Sequence, residues 1–147
     1  MMAGIPRPGA LAKANQDTQF HIDYHWWQTP AQLRSYLLSH IPDEADRERI
    51  SQSDEGKMVD FVHPETGEVF RSDELNLALQ QAAQQPDFIN PQASVVDNIF
   101  RVFLKNGNKP LTPRELETYV GKSASVILKT IGGTKIYNGI RPVSSDS

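Results

Sequence analysis

The stretch SVVDNIFRVFLKNGNKPLTPRELETYVGKSASVILKTIGGTKIYNGIRPV, residues 94–143, decides the fold of its part of the chain. Val95, Val96, Ile99, Phe100, Phe103 and Leu104 recur at helical spacing and stop at Asn106-Gly107, a pair suited to a helix C-terminus. Thr112-Pro113-Arg114-Glu115 reads as a capping box with proline in the first turn. Leu116, Tyr119 and Val120 then supply the i, i+3, i+4 face of a second helix that must end near Gly121. Ser123 caps a third, whose buried side is expected to be Ile127, Leu128 and Ile131, and Gly132-Gly133 breaks it. In Ile136-Tyr137-Asn138-Gly139-Ile140-Arg141, Asn-Gly between β-prone pairs predicts a hairpin with a type I′ turn.

Charge separates this stretch from what precedes it. Residues 96–143 carry eight bases (Arg101, Lys105, Lys109, Arg114, Lys122, Lys129, Lys135, Arg141) against three acids (Asp97, Glu115, Glu117). Residues 1–95 carry seven bases against fourteen acids, within a chain of net charge −3. A basic helical module beside an acidic one implies two modules with different partners, and the basic one has the electrostatic footprint of a polyanion binder.

The earlier residues read as a small α+β domain. Phe20, Ile22, Tyr24 and Trp26 alternate with His21, Asp23, His25 and Trp27, the period of a strand with one buried face. Thr29-Pro30 starts a helix over 30–40 with Leu33, Leu37 and Ile41 on one face; DEADRERI, 43–50, is a short solvated helix, and 51–56 a loop. Residues 57–62 and 68–71 flank His63-Pro64-Glu65-Thr66-Gly67 as a hairpin, with Gly67 in the left-handed position. Ser72 caps a helix with Leu75, Ala78, Leu79 and Ala82 inward, ending at Pro86. The expected organisation is a disordered tail (1–18), an antiparallel sheet with helices on one face (19–86), a linker (87–91), the helical module (92–143) and a short tail (144–147).

At 147 residues the chain suffices for one ordinary domain or two small ones. The absence of cysteine excludes disulfides, zinc ribbons, thiol nucleophiles and iron–sulfur clusters. No signal peptide or membrane span is legible, and cytoplasmic residence is the expectation. There is no Gly-x-Ser-x-Gly elbow, Walker loop or dinucleotide fingerprint, so the chain is not expected to be an enzyme, and no cofactor or small-molecule substrate is implied. His21, Asp23 and His25 would share a strand face about 7 Å apart, which is possible metal chemistry, but a third or fourth ligand such as Asp60 or His63 would be needed; no metal site is assigned. Trp26 and Trp27 would project to opposite faces, one into a core and the other to solvent or a partner.

KPLTPRELETYVGKSASVILKTIGG with TKIYNGIRPV resembles the helix, turn, recognition helix and wing of a winged helix-turn-helix domain, over about the last third of the chain. The resemblance implies a three-helix module with a hairpin wing that places its third helix in the major groove of double-stranded DNA. It implies contacts from Lys122, Ser123, Ser125 and Lys129, on or before the exposed face of that helix, and from Lys135, Tyr137, Asn138 and Arg141 on the wing. Lysines and hydroxyls position a phosphate backbone, whereas Arg, Asn or Gln usually read bases, and SASVILKTI contains none of these. The expected function is DNA binding, as a small transcriptional regulator or accessory nucleic-acid factor, with the acidic domain sensing, self-associating or recruiting a protein. The alternative is a non-enzymatic adaptor, or subunit of a larger complex, whose winged helix binds protein.

Overall fold

A computed structural model describes residues 13–52, 58–62 and 69–143, with 58–62 and 69–73 described by backbone alone. In chain order the elements are β1 (Phe20–Ile22), α1 (Pro30–Leu38), α2 (Glu44–Gln52), β2 (Met58–Val62), β3 (Val69–Asp73), α3 (Glu74–Ala83), α4 (Val95–Lys105), α5 (Pro113–Val120), α6 (Ala124–Ile131) and β4 (Ile140–Pro142). Helices and short antiparallel strand pairs make this an α+β protein. The chain forms two compact units. One joins residues 1–27 to 89–147, and the other is Gln28–Phe88, inserted between them in sequence.

The discontinuous unit is closed by β1. Phe20, His21 and Ile22 pair antiparallel with Pro142, Arg141 and Ile140. On its other edge Phe20 exchanges backbone bonds with Leu111, its N–H donating at 2.8 Å and its carbonyl accepting at 3.1 Å. Two residues further along β1, Asn108 replaces a strand. Its side-chain oxygen accepts from the Ile22 N–H at 2.8 Å, and its amide donates to the Ile22 carbonyl at 2.9 Å. Asn108 adopts φ 63°, a left-handed conformation that asparagine tolerates better than most residues. Phe20 and Ile22 thereby reach the same core as Ile99, Phe100 and Phe103 of α4, Leu116 of α5, Ile127 and Ile131 of α6, and Ile140 of β4, all at most 3% exposed.

The strand expected to open the first domain therefore belongs with the C-terminal helices, and the expected division at 19–86 and 92–143 is corrected accordingly. The strand is also shorter than expected. Asp23 ends it by turning the chain, its carboxylate accepting from the His25 N–H at 2.9 Å and its carbonyl from the Trp26 N–H at 3.1 Å. Residues 13–18, expected within a disordered tail, include a turn in which the Thr18 N–H donates to the Asn15 carbonyl, and Gln16 accepts from the Arg114 backbone. Residues 1–12 and 144–147 lie outside the described residues.

Helix boundaries in this unit follow local chemistry. Ser94, Thr112 and Ser123 each accept from the N–H three residues on, and Thr112 with Glu115 completes the expected capping box. Gly121 ends α5 at φ 78°. Tyr119 departs from the expected buried stripe of α5, being 56% exposed, while Pro113 and Leu116 carry the packing.

In the inserted unit, Thr29 caps α1 and Asp43 accepts from the Ala45 and Asp46 N–H groups at the start of α2. Leu33 and Leu37 are half-buried, and the core contribution comes from Ile41, just after α1, and Ile50 of α2. Arg34 and Arg47 tie these segments by donating to the carbonyls of Ile50 and Ile41. The hairpin pairs Met58 with Asp73 through Val62 with Val69. Ser72 lies in β3 rather than capping α3, which starts at Glu74 and buries Leu75, Leu79, Ala82 and Ala83. Ser51 and Gln52 extend α2 into the expected loop, whereas 53–57, the 63–67 turn and Gly67 lie outside the described residues.

Replacing Asn108 with alanine strips both backbone groups of buried Ile22 of their partners. Two orphaned groups at about 1–3 kcal/mol each predict a loss of roughly 2 kcal/mol or more, read as a lowered urea midpoint at unchanged slope.

Candidate nucleic-acid interface

The expected site residues occupy two elements of the discontinuous unit. Ser125 and Lys129, at i and i+4, are exposed because Ala124, Ile127 and Ile131 take the opposite face of α6 into the core, and Lys122, also exposed, sits just ahead of the Ser123 cap. Val126, 43% exposed, lies among them. Lys135, Tyr137, Asn138 and Arg141 belong to the hairpin that follows α6. Asn138 and Gly139, at φ 55° and 79°, form the turn foreseen from the Asn-Gly pair, with Tyr137 bridged to Ile140.

Several of these groups already have protein partners. Ser123 is the N-cap of α6, its hydroxyl accepting from the Val126 N–H at 3.2 Å, and Glu117 accepts from the Ala124 N–H at 2.7 Å. Two first-turn amides of α6 are therefore taken, one by a carboxylate, and this end of α6 is less receptive to anions than its lysines imply. Arg141 donates to Asp23 at 3.2 Å, an ion pair half open to water and worth about 0–1 kcal/mol. The Lys135 ammonium lies 5.1 Å from the centre of the Tyr137 ring, so that lysine is held over the hairpin while it remains exposed.

Residues 13–17 add groups that local reading assigned to a tail. The Gln16 side-chain amide donates to Ser125 Oγ at 3.0 Å, its backbone carbonyl accepts from the Arg114 N–H at 3.3 Å, and Asp17 pairs with the Arg114 guanidinium at 2.8 Å. Between this segment and α6 runs an open groove of about 520 Å³, with Lys13 and Lys129 among its lining residues. No periodicity marks Lys13 and Gln16; the contact spans more than a hundred residues of sequence.

The geometry removes the basis of the metal reading. With the strand ending at Ile22, His21, Asp23 and His25 do not share a strand face, and Asp23 is committed to Arg141 and the turn. Among the described residues no group of three or more His, Asp or Glu is placed to hold a metal ion, and no helix is long and apolar enough to cross a membrane. Asp60 and His63, the further ligands considered, have no described side chains. Trp26 and Trp27 meet edge-to-face at 5.1 Å instead of pointing to opposite strand faces. Burial raises the neighbouring Tyr24 phenol above its usual pKa, so it remains protonated well beyond neutral pH.

With the corrected boundary the charge asymmetry persists. The discontinuous unit holds ten Lys and Arg against six Asp and Glu, a balance of +4. The inserted unit holds five against twelve, a balance of −7. Comparison with protein-family models, curated proteins and solved structures finds no match for this chain.

Gly139 is the tightest point of the hairpin. A Cβ there would lie 2.6 Å from the Asp23 carbonyl oxygen, and its φ of 79° disfavours any L side chain. Gly139→Ala is expected to cost more than about 1 kcal/mol, measured by thermal unfolding, and to shift the Tyr137 and Ile140 resonances.

Proposed function

We propose that β1, α4, α5, α6 and β4 constitute a winged helix-turn-helix module that binds double-stranded DNA chiefly through its phosphates, as a transcriptional regulator or accessory nucleic-acid factor. The observation that carries this reading is the exposed α6 face, where Ser125 and Lys129 lie opposite the buried stripe, preceded by exposed Lys122 and followed directly by the hairpin bearing Lys135 and Tyr137. Lys122 ahead of the helix, Lys129 on it and Lys135 on the hairpin supply point charges for backbone phosphates. In the same reading the inserted unit, at −7, does not share the polyanion; its exposed Glu44 and Glu48, one turn apart on α2, suit a basic protein or a second copy of the chain.

A second reading, a protein-binding adaptor, draws on the exposed aromatics of the same unit. Tyr24, Trp26 and Tyr137 are each a little over a third exposed and Tyr119 more than half, a composition seen at protein interfaces. Against it, Ile140 is fully buried and Ile136 half-buried, so the hairpin does not present the aliphatic patch that such an interface would use.

Fluorescence anisotropy of a random-sequence duplex against the full chain, over a salt series, separates the two. DNA binding predicts a negative slope of log K against log salt, about 0.9 per phosphate neutralised. Replacing Lys122 and Lys129 together with alanine should flatten that slope by about two phosphates' worth. Asp23→Asn keeps an acceptor for the His25 N–H while removing the negative charge beside Arg141. It is expected to tighten binding and steepen the slope by about one. Absence of salt-sensitive binding by the full chain at low salt rejects DNA and leaves a protein partner.

A further inference from the structure

The α6 surface lacks a base-reading side chain of its own, and the segment preceding β1 brings one to it. The Gln16 amide lies against Ser125 in the middle of the exposed part of α6, held by the 3.0 Å bond from Nε2 to Oγ. A glutamine amide has two N–H donors and one acceptor oxygen. When Ser125 takes the N–H anti to Oε1, the syn N–H and Oε1 remain side by side as the donor and acceptor pair that matches N7 and the N6 amino group of adenine. Gln16 is half-exposed, so this edge is open to a ligand.

The surroundings suit a nucleic-acid strand. Lys13 and Lys129 line the groove together with Leu128 and Gly132, and none of its described lining residues is acidic. The nearest acid on the segment, Asp17, is turned to Arg114. The segment is anchored independently of the groove by the Arg114 N–H donating to the Gln16 carbonyl and by its continuation into β1. A side chain used for reading must be held by its support, and here the support is the core strand itself.

Resting on the DNA-binding reading above, we infer that residues 13–16 are part of the nucleic-acid interface. Gln16, oriented by Ser125, is the specificity-determining residue that reads adenine, and Lys13 with Lys129 holds the phosphates along the groove. The inserted unit then lies in sequence between the two parts of one binding surface, so a partner acting on it has a covalent route to both.

The test uses the full chain. A randomised duplex library is selected for bound sequences, and anisotropy titrations of the selected duplex and a scrambled one follow over a salt series. Lys13→Ala should lower the salt slope by about one phosphate, and Lys129→Ala should do the same. Gln16→Ala should leave the slope unchanged and lose about 5–150-fold of the preference for the selected duplex, concentrated at an A·T pair. Ser125→Ala, which leaves the amide in place without its acceptor, should lose part of the same preference, and this keeps the test open should Gln16→Ala loosen the segment.

Wild-type slope in Lys13→Ala and wild-type preference in Gln16→Ala, beside a flattened slope in Lys129→Ala, would overturn the inference and leave the DNA-binding reading standing. A selection that yields no preferred sequence also overturns it. Absence of salt-sensitive binding by the unaltered chain would remove both.

Discussion

The insertion of Phe20–Ile22 between Leu111 and Ile140–Pro142 is the constraint on which the discontinuous unit depends. Without it, Leu111 and β4 would each lose the strand that satisfies their backbone, and the core would lose Phe20 and Ile22. A pair of isolated strand segments is marginal in water, and burial of the apolar faces on a helix layer is what stabilises it. Asn108 extends the pairing where the main chain has turned away, so every backbone group of Ile22 facing that edge is matched although the neighbouring strand has ended. The same closure requires a chain topology in which residues 28–88 form a unit of their own between the two halves of another.

That topology ties the site to the fold. The segment leading into β1 is anchored at Arg114 before it enters the sheet, and this anchorage brings Gln16 to Ser125 and Lys13 to the groove. At the other end of β1, Asp23 terminates the strand, accepts from Arg141 and presses its carbonyl against the turn at Gly139. The proposed binding surface is thus bracketed by contacts from one short strand: its entry supplies groups to α6, and its exit fixes the hairpin. Electrostatics on this surface is a balance, since Glu117 and Asp23 each satisfy a donor that would otherwise face an anion, leaving Lys13, Lys122, Lys129 and Lys135 exposed on it.

The local elements were legible in the sequence because their signals are local. Thr112 with Glu115 forms a capping box whatever surrounds it, Asn138-Gly139 supports the turn that two positive φ values require, and the α4 stripe from Ile99 to Phe103 reads directly as core. Partnership was not legible. The alternation of Phe20 and Ile22 announces a strand with a buried face but carries no information on which strand, more than a hundred residues away, lies beside it, so proximity in sequence assigned it to the wrong unit. Asp23 and Tyr119 show a second limit. Period alone continued the strand through Asp23 and buried Tyr119, whereas an Asp side chain accepting from the His25 N–H ended the first, and a buried face running through Pro113 and Leu116 left the second in solvent. Gln16 could not be found at all by pattern, since its role arises only when β1 is seated.

The most direct measurement of the central claim is amide hydrogen exchange on the full chain and on a chain beginning at Gln28, with protection followed in α4, α5, α6 and β4 against that in α1 and α3. If β1 closes the discontinuous unit, its removal should collapse protection in the first group together while the second retains its own. Undiminished protection in α4, α5 and α6 without residues 1–27 would show that the helices and the hairpin stand alone, and would contradict the account.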